Sequence, residues 1–276
     1  MTISKTISYT RLPSSEFSQS SLGVNNGTII ETGQVKLVPI LLERDTPLLW
    51  EVYKDHPKLF DWMPHGPLHT YEEFFAIQAR FCSSNDHFNW ACYVSASSSN
   101  TNEKEKKWVL CGSICLLDIS LIHRRFEVGG IWFHPSVQGT FVMLETTYAL
   151  LRFSFERLIA GRVQWKTHHK NIASQKAAIK LGFDLDGIHR KHIIHSDGTW
   201  RNTYYYSMTD DDWFGKDVTT DGQPKLEVEK AIRALEQELL LSGAQGRQKR
   251  LEELIENRKQ EGKPLPSAVV GGESLN

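Results

Sequence analysis

The chain has 276 residues, 40% of them hydrophobic and 24% charged, with 32 Lys and Arg against 33 Asp and Glu. That much apolar material can bury a core, which excludes a wholly disordered chain, and a formal net charge of -1 lacks the basic surplus that neutralising nucleic-acid phosphates requires. No apolar run approaches the ~20 residues of a spanning helix, and the polar start has no signal-peptide apolar region, so a cytoplasmic protein with neither membrane nor nucleic-acid partners is expected.

Residues 1–32 are rich in Ser and Thr with little apolar periodicity and read as a flexible arm. A globular unit is expected over 33–216, a charged helical extension over 217–260 and a disordered tail over 261–276. Within the unit, 35–37 reads as a strand, and 48–53 and 74–81 carry helical spacing, with Thr70 placed to cap the second helix. Residues 89–94, 108–117 and 126–133 read as strands, rich in aromatic and β-branched side chains. The polar island 95–107 reads as an exposed hairpin loop between the first two.

Leu144, Tyr148, Leu151, Phe155 and Leu158 then recur on one face of a 3.6-period helix. A short strand at 162–165 follows. A helix opened by Asn171 runs through Ala173, Ala177 and Leu181, and Gly182 closes it with a left-handed cap. Strands at 185–194 and 203–208 complete the unit. The order of elements implies a mixed sheet with helices on both faces. In the extension, Val228, Ile232, Leu235 and Leu239 form one apolar stripe and Leu251, Leu254 and Ile255 a shorter one. Such stripes dock on their own domain, pair two copies as a homodimer, or bind a partner.

The cysteines Cys82, Cys92, Cys111 and Cys115 form no C-x-x-C pair, so reduced, mostly buried thiols are expected. His189, His192 and His195 recur every three residues. On a regular strand they cannot share a face, so no metal site is expected.

Phe133-His134-Pro135-Ser136-Val137-Gln138-Gly139-Thr140 reads as a strand end, a turn and a helix start. The first N–H groups of a helix lack internal partners, and its macrodipole is positive there. A turn of this kind holds a phosphate or merely caps a helix, and one glycine does not choose between them.

The stretch has company. Pro135-x-x-Gln138-Gly139-Thr140, Glu145, the run 150–156, Arg162-Val163-Gln164-Trp165-Lys166-Thr167 and Asn171-x-x-Ser174-x-x-Ala177-x-x-x-Leu181-Gly182-Phe183 together resemble the GNAT N-acetyltransferase family. The match is closest to its branch related to ribosomal-protein N-terminal acetyltransferases. The upstream run 59–67 and the downstream Gly187-x-x-Arg190-x-His192, Arg201 and Tyr205-Tyr206-Ser207 also resemble that branch.

The resemblance implies an α/β fold, a single mixed, mostly antiparallel sheet of about seven strands, splayed between two central parallel strands at 127–133 and 162–167. It implies acetyl-CoA as cosubstrate, no metal, and a pyrophosphate resting on backbone N–H groups of Gln138, Gly139, Thr140, Phe141 and Val142. Asn171 and Ser174 would touch the cofactor arm, and Trp132 and Phe133 would border it. The family pattern has a glycine or small residue where Phe141 stands, so the Phe side chain must point away from the cofactor. The implied reaction is direct acetyl transfer to a primary amine on a small molecule or peptide.

Glu127 is the candidate base, with a structural ion pair as its other reading, and His134 is a second candidate. Backbone N–H groups near 131–133 would meet the oxyanion. Ser174, or one of Tyr204, Tyr205 and Tyr206, would donate to the leaving thiolate. Trp62, Met63, His65 and Gly66, with Tyr205, would line an aromatic, neutral acceptor pocket. The alternative, suggested by Phe141, is a catalytically silent member that binds CoA or a partner. The basic cluster of Arg162, Lys166, His168, His169, Lys170, Lys176 and Lys180 reads as an attractant for the cofactor's phosphates or as a solvated edge.

Overall fold

Nine strands form one sheet in the order β1-β2-β3-β4-β5-β6-β7-β9-β8. The structure, a computed structural model, describes residues 7–11, 27–96, 106–215 and 247–260. The strands are β1 (Ser8–Arg11), β2 (Thr28–Glu31), β3 (Val35–Pro39), β4 (Phe88–Ser95), β5 (Trp108–Ser120), β6 (Arg125–Phe133), β7 (Arg162–His168), β8 (Asp184–Ile194) and β9 (Trp200–Thr209). The helices are α1 (Leu42–Tyr53), α2 (Tyr71–Ser83), α3 (Val142–Arg152), α4 (Ile172–Leu181), α5 (Asp210–Phe214) and α6 (Arg247–Gln260). All neighbouring strands run antiparallel except β6 and β7.

From β3 to β9 the order of elements is the one read from the sequence. Local chemistry explains why. Thr70 accepts from the Glu73 N–H while the Glu73 carboxylate accepts from the Thr70 N–H, a reciprocal cap that starts α2. Asn171 Oδ1 accepts from the Ser174 N–H at 3.1 Å to start α4, and Gly182 ends it at φ 94°.

The arm expected over 1–32 needs correction. Ser8–Arg11 and Thr28–Glu31 pair with each other, and β2 pairs with β3, which adds two strands to the expected seven. Ile30 is fully buried, so the short Thr-Ile-Ile-Glu alternation contributes to the core. Residues 1–6 and 12–26, the loop 97–105, the segment 216–246 with its Val228–Leu239 stripe, and the tail from 261 lie outside the described residues.

Two apolar cores lie on opposite faces of the sheet. One joins Phe126, Val128, Val163, Trp165, Tyr206 and Met208 to α3 and α4. The other joins Trp132, Ala91 and Tyr93 to α1, α2 and the turn after α1. The shorter C-terminal stripe is part of the first core: Leu251 and Ile255 of α6 are buried there with Trp213 of α5. Docking on its own domain therefore accounts for that stripe. Among the described residues no helix is long and apolar enough to cross a membrane.

Candidate active site

β6 and β7 pair only through Arg125 with Arg162, Phe126 with Val163, and Glu127 with Gln164. Both strands continue, to Phe133 and His168, but apart from one another. The sheet is thus splayed where the resemblance placed the gap. An extra residue on β6 accompanies the divergence. Ser113 of β5 opposes Trp132, yet Cys115 opposes Gly129, so β6 spends three residues where β5 spends two. Gly130 takes the strained position at φ 58°, where a Cβ would stand 2.7 Å from Cys115 Sγ. Because of this bulge, Trp132 joins the core on the α1 and α2 side, the side to which Glu127 also points.

Past β6 the chain turns through a 3-10 segment, Pro135–Val137, into α3. Thr140 Oγ1 accepts from the Val142 N–H at 3.2 Å, and the Gln138 and Thr140 N–H groups bond to Pro135 and Val137 carbonyls. Those three amides, expected to hold phosphate, are therefore engaged within the turn. The N–H groups of Gly139, Phe141, Met143 and Leu144 find no acceptor among the described residues, since the first helical bond runs from Glu145 to Phe141. Gly139 sits at φ 73°, which exposes its amide at the mouth of the splay.

The Phe141 side chain is buried in the α3 core, with Lys259 of α6 5.4 Å from its ring centre. Lys259 also pairs with the buried Glu145 at 2.6 Å, so α6 is pinned at the start of α3.

The face of β6, β7 and β9 that carries Glu127 is polar. Glu127 is 6% exposed and pairs with Lys166 Nζ at 2.8 Å. Lys166 also meets Asp118 at 2.7 Å and lies 5.2 Å from the centre of the Tyr205 ring. Burial raises the Glu127 pKa, against the opposing pull of Lys166. Lys166 pays for burial too, but Glu127 and Asp118 outweigh that and raise its pKa, keeping it charged. A desolvated carboxylate beside a shared cation is suited to accept a proton near neutrality.

Tyr205 donates or accepts through its hydroxyl at 2.9 Å from His192 Nε2, and His189 stacks on its ring at 3.9 Å between centres. His189 and His192 thus reach the same face, contrary to the regular-strand reading, because β8 gains two residues on β9 between His189 and Ile193. His195 lies further along, with its ring 5.0 Å from His168. Among the described residues no group of three His, Cys, Asp or Glu side chains is placed to hold a metal.

The loop after α1 covers the far end of this face. Trp62, 38% exposed, lies 4.8 Å from the His168 ring, and is not a core residue. Met63 packs against the α1 and α2 core. His65 Nδ1 contacts the Gly66 carbonyl at 2.7 Å, and burial lowers its pKa. The turn between β8 and β9 ties the loop down: Ser196 donates through N–H to Pro64 and through Oγ to His65. The face beneath carries Tyr205 and the His168, His189, His192 and His195 rings beside the Lys166, Glu127 and Asp118 ion pairs.

On the opposite face, Ser174 Oγ accepts from the Trp165 indole at 2.9 Å, leaving the hydroxyl proton free to be donated. His134 is held through both nitrogens, 3.0 Å from His56 Nε2 and 2.6 Å from Ser136 Oγ. Burial and His56 lower its pKa. The basic cluster does not act as one phosphate attractant. Arg162 is spoken for by Asp186, and Lys166 by Glu127 and Asp118. Lys166 and Asp118 were missed as site residues because strand pairing, not sequence proximity, brings them to Glu127. Arg201 stood in the downstream motif with no role attached.

The site thus brings together a splayed parallel pair, helix-start amides without protein acceptors and a buried carboxylate. The family model described as Acetyltransferase (GNAT) domain matches residues 34–184, and the chain belongs to this family of N-acetyltransferases. The uncharacterized N-acetyltransferase YnaD of Bacillus subtilis is 24% identical over 123 residues, covering 42% of this chain and 71% of that protein. The crystal structure of a GCN5-related N-acetyltransferase from Brucella melitensis shares the fold, with TM-score 0.60 and 24% identity over 83% of this chain and 94% of that one. So does RimL, the ribosomal L7/L12 α-N-protein acetyltransferase, with TM-score 0.54 and 19% identity over 66% and 93%.

Proposed function

We propose that this cytoplasmic enzyme transfers the acetyl group of acetyl-CoA to a primary amine by direct attack. The observation that carries the reading is the β6–β7 splay beginning at Glu127 with four unpaired amides at its phosphate end. The pyrophosphate binds the N–H groups of Gly139, Phe141, Met143 and Leu144, helped by the positive end of α3. Asn171 keeps its side-chain amide N–H groups for the cofactor arm while its oxygen caps α4.

The acceptor enters beneath Trp62 as an ammonium ion. Glu127 removes its proton, and the freed nitrogen attacks the thioester carbon. Amides of the bulged stretch 131–133 take up the negative charge on the oxygen. The adduct then collapses with loss of the C–S bond, the second nitrogen proton passes to the departing thiolate, and the Ser174 hydroxyl donates a hydrogen bond to that sulfur. The buried Phe141 side chain removes the feature that suggested a silent member.

Calorimetry with acetyl-CoA, followed by a thiol-release assay over a panel of amines, tests the reading. Tight binding and amine-dependent thiol release are expected. Failure to bind any acyl-CoA rejects it.

A further inference from the structure

Arg201 is 7% exposed, yet no carboxylate among the described residues lies within ion-pair distance of it. Its one hydrogen bond runs from Nε to Thr203 Oγ1 at 2.9 Å, which leaves the terminal guanidinium nitrogens without a protein partner. Burial pushes its pKa down, and the charge of Glu127 pushes it back up, so the two groups feel one another across the same face. The terminal nitrogens are not among the atoms cut off from solvent, so an anion can reach them, and a guanidinium otherwise so largely desolvated gains from one.

A second group nearby is also unspent. His195 is 8% exposed, and its Nε2 has no hydrogen-bond partner. Its ring contacts His168, over which Trp62 lies, so the imidazole stands directly behind the wall that these two rings form. Arg201 influences the His168, His192 and His195 imidazoles alike, and disfavours a further positive charge on each. The region is poor ground for a second ammonium group and good ground for a carboxylate, whose two oxygens suit a guanidinium fork.

We infer that Arg201, backed by the His168 and His195 rings, is a carboxylate-binding subsite beside the amine site, so that the acceptor is an amine carrying a carboxylate and not a polyamine. The inference rests on the transferase reading above. The carboxylate can sit on a free amino acid or on an acidic residue at a peptide's N-terminus.

The test measures thiol release from acetyl-CoA with matched acceptors: glutamate against its diamide, a peptide amide beginning with Glu against the same peptide beginning with Gln, and spermidine. The carboxylate-bearing member of at least one pair should exceed its partner in kcat/KM by tenfold or more. Whichever pair responds identifies the source, and spermidine should be the poorer substrate. In Arg201→Gln that preference should collapse through KM, and Arg201→Lys should restore part of it. Equal rates within both pairs, or faster acetylation of spermidine, would overturn the subsite while leaving the transferase reading intact. No thiol release with any amine rejects both. If Arg201→Gln fails to fold, the wild-type pairs and Arg201→Lys still decide.

Discussion

The two faces of the ribbon formed by β7 and β9 are built from alternate residues of the same strands, yet they obey different rules. Val163, Trp165, Tyr206 and Met208 point into the apolar core under α3 and α4. Gln164, Lys166, Tyr205 and Ser207 point the other way and make ion pairs, ring contacts and hydrogen bonds. One face is satisfied by burial, with the Trp165 indole bonded to Ser174, and contributes stability. The other buries charge at a cost, and it is the face to which the proposed function assigns the base. The period of two that makes a strand is therefore also what separates folding from chemistry in this enzyme.

Substitutions on the two faces should divide accordingly. Met208→Ala removes a fully buried side chain from the apolar face and should lower stability by about 2–5 kcal/mol in denaturant unfolding. If it folds, its pH–rate profile should keep the wild-type shape. Glu127→Gln on the polar face should reduce turnover at least tenfold, about 1.4 kcal/mol of barrier, while acetyl-CoA still binds in calorimetry. A pH–rate profile identical to wild type in that variant would remove Glu127 as the base.

Lys166→Met sharpens the contrast. Lys166 stabilises the charged form of Glu127 against burial, so its loss raises the Glu127 pKa further. The acidic limb of kcat/KM should move to higher pH. A limb that stays in place, or moves to lower pH, would mean that another group controls it. Ser174→Ala should have the smallest effect, a fall in turnover of about threefold, because a solvent molecule can replace one hydrogen bond to sulfur. A loss as large as that of Glu127→Gln would make Ser174 a principal proton donor.

Where local chemistry decides structure, the sequence was legible. The Thr70 and Asn171 caps, the Gly182 terminus and the 3.6-period stripe as far as Leu151 depend on neighbours within a few residues, whereas Phe155 falls in a π-helical turn, Phe153–Arg157, and Leu158 just past it, where the 3.6 period no longer holds. The motif order likewise located the gap between β6 and β7. What escaped depends on pairing across the sheet. β1 and β2 are too short and too rich in Ser and Thr to stand out, and their strand character comes from their partners. Lys166, Asp118 and Glu127 are separated in sequence and meet only because β5, β6 and β7 adjoin. His189 and His192 share Tyr205 because β8 is irregular against β9, which a strict alternation cannot express.

The bulge at Gly130 has a consequence for how β6 tolerates change. Residues before and after it obey opposite inside–outside parity, so the strand carries two reading frames joined at one glycine. Closing the bulge without shortening the chain would restore a regular ladder only by swapping every side chain beyond it. Trp132 would leave the α1 and α2 core for the far side of the sheet, and Phe133 would take its place. A strand one residue shorter at this point would keep Trp132 opposite Ser113 and Phe133 opposite Gly112, and would lose only the bulge that accompanies the splay.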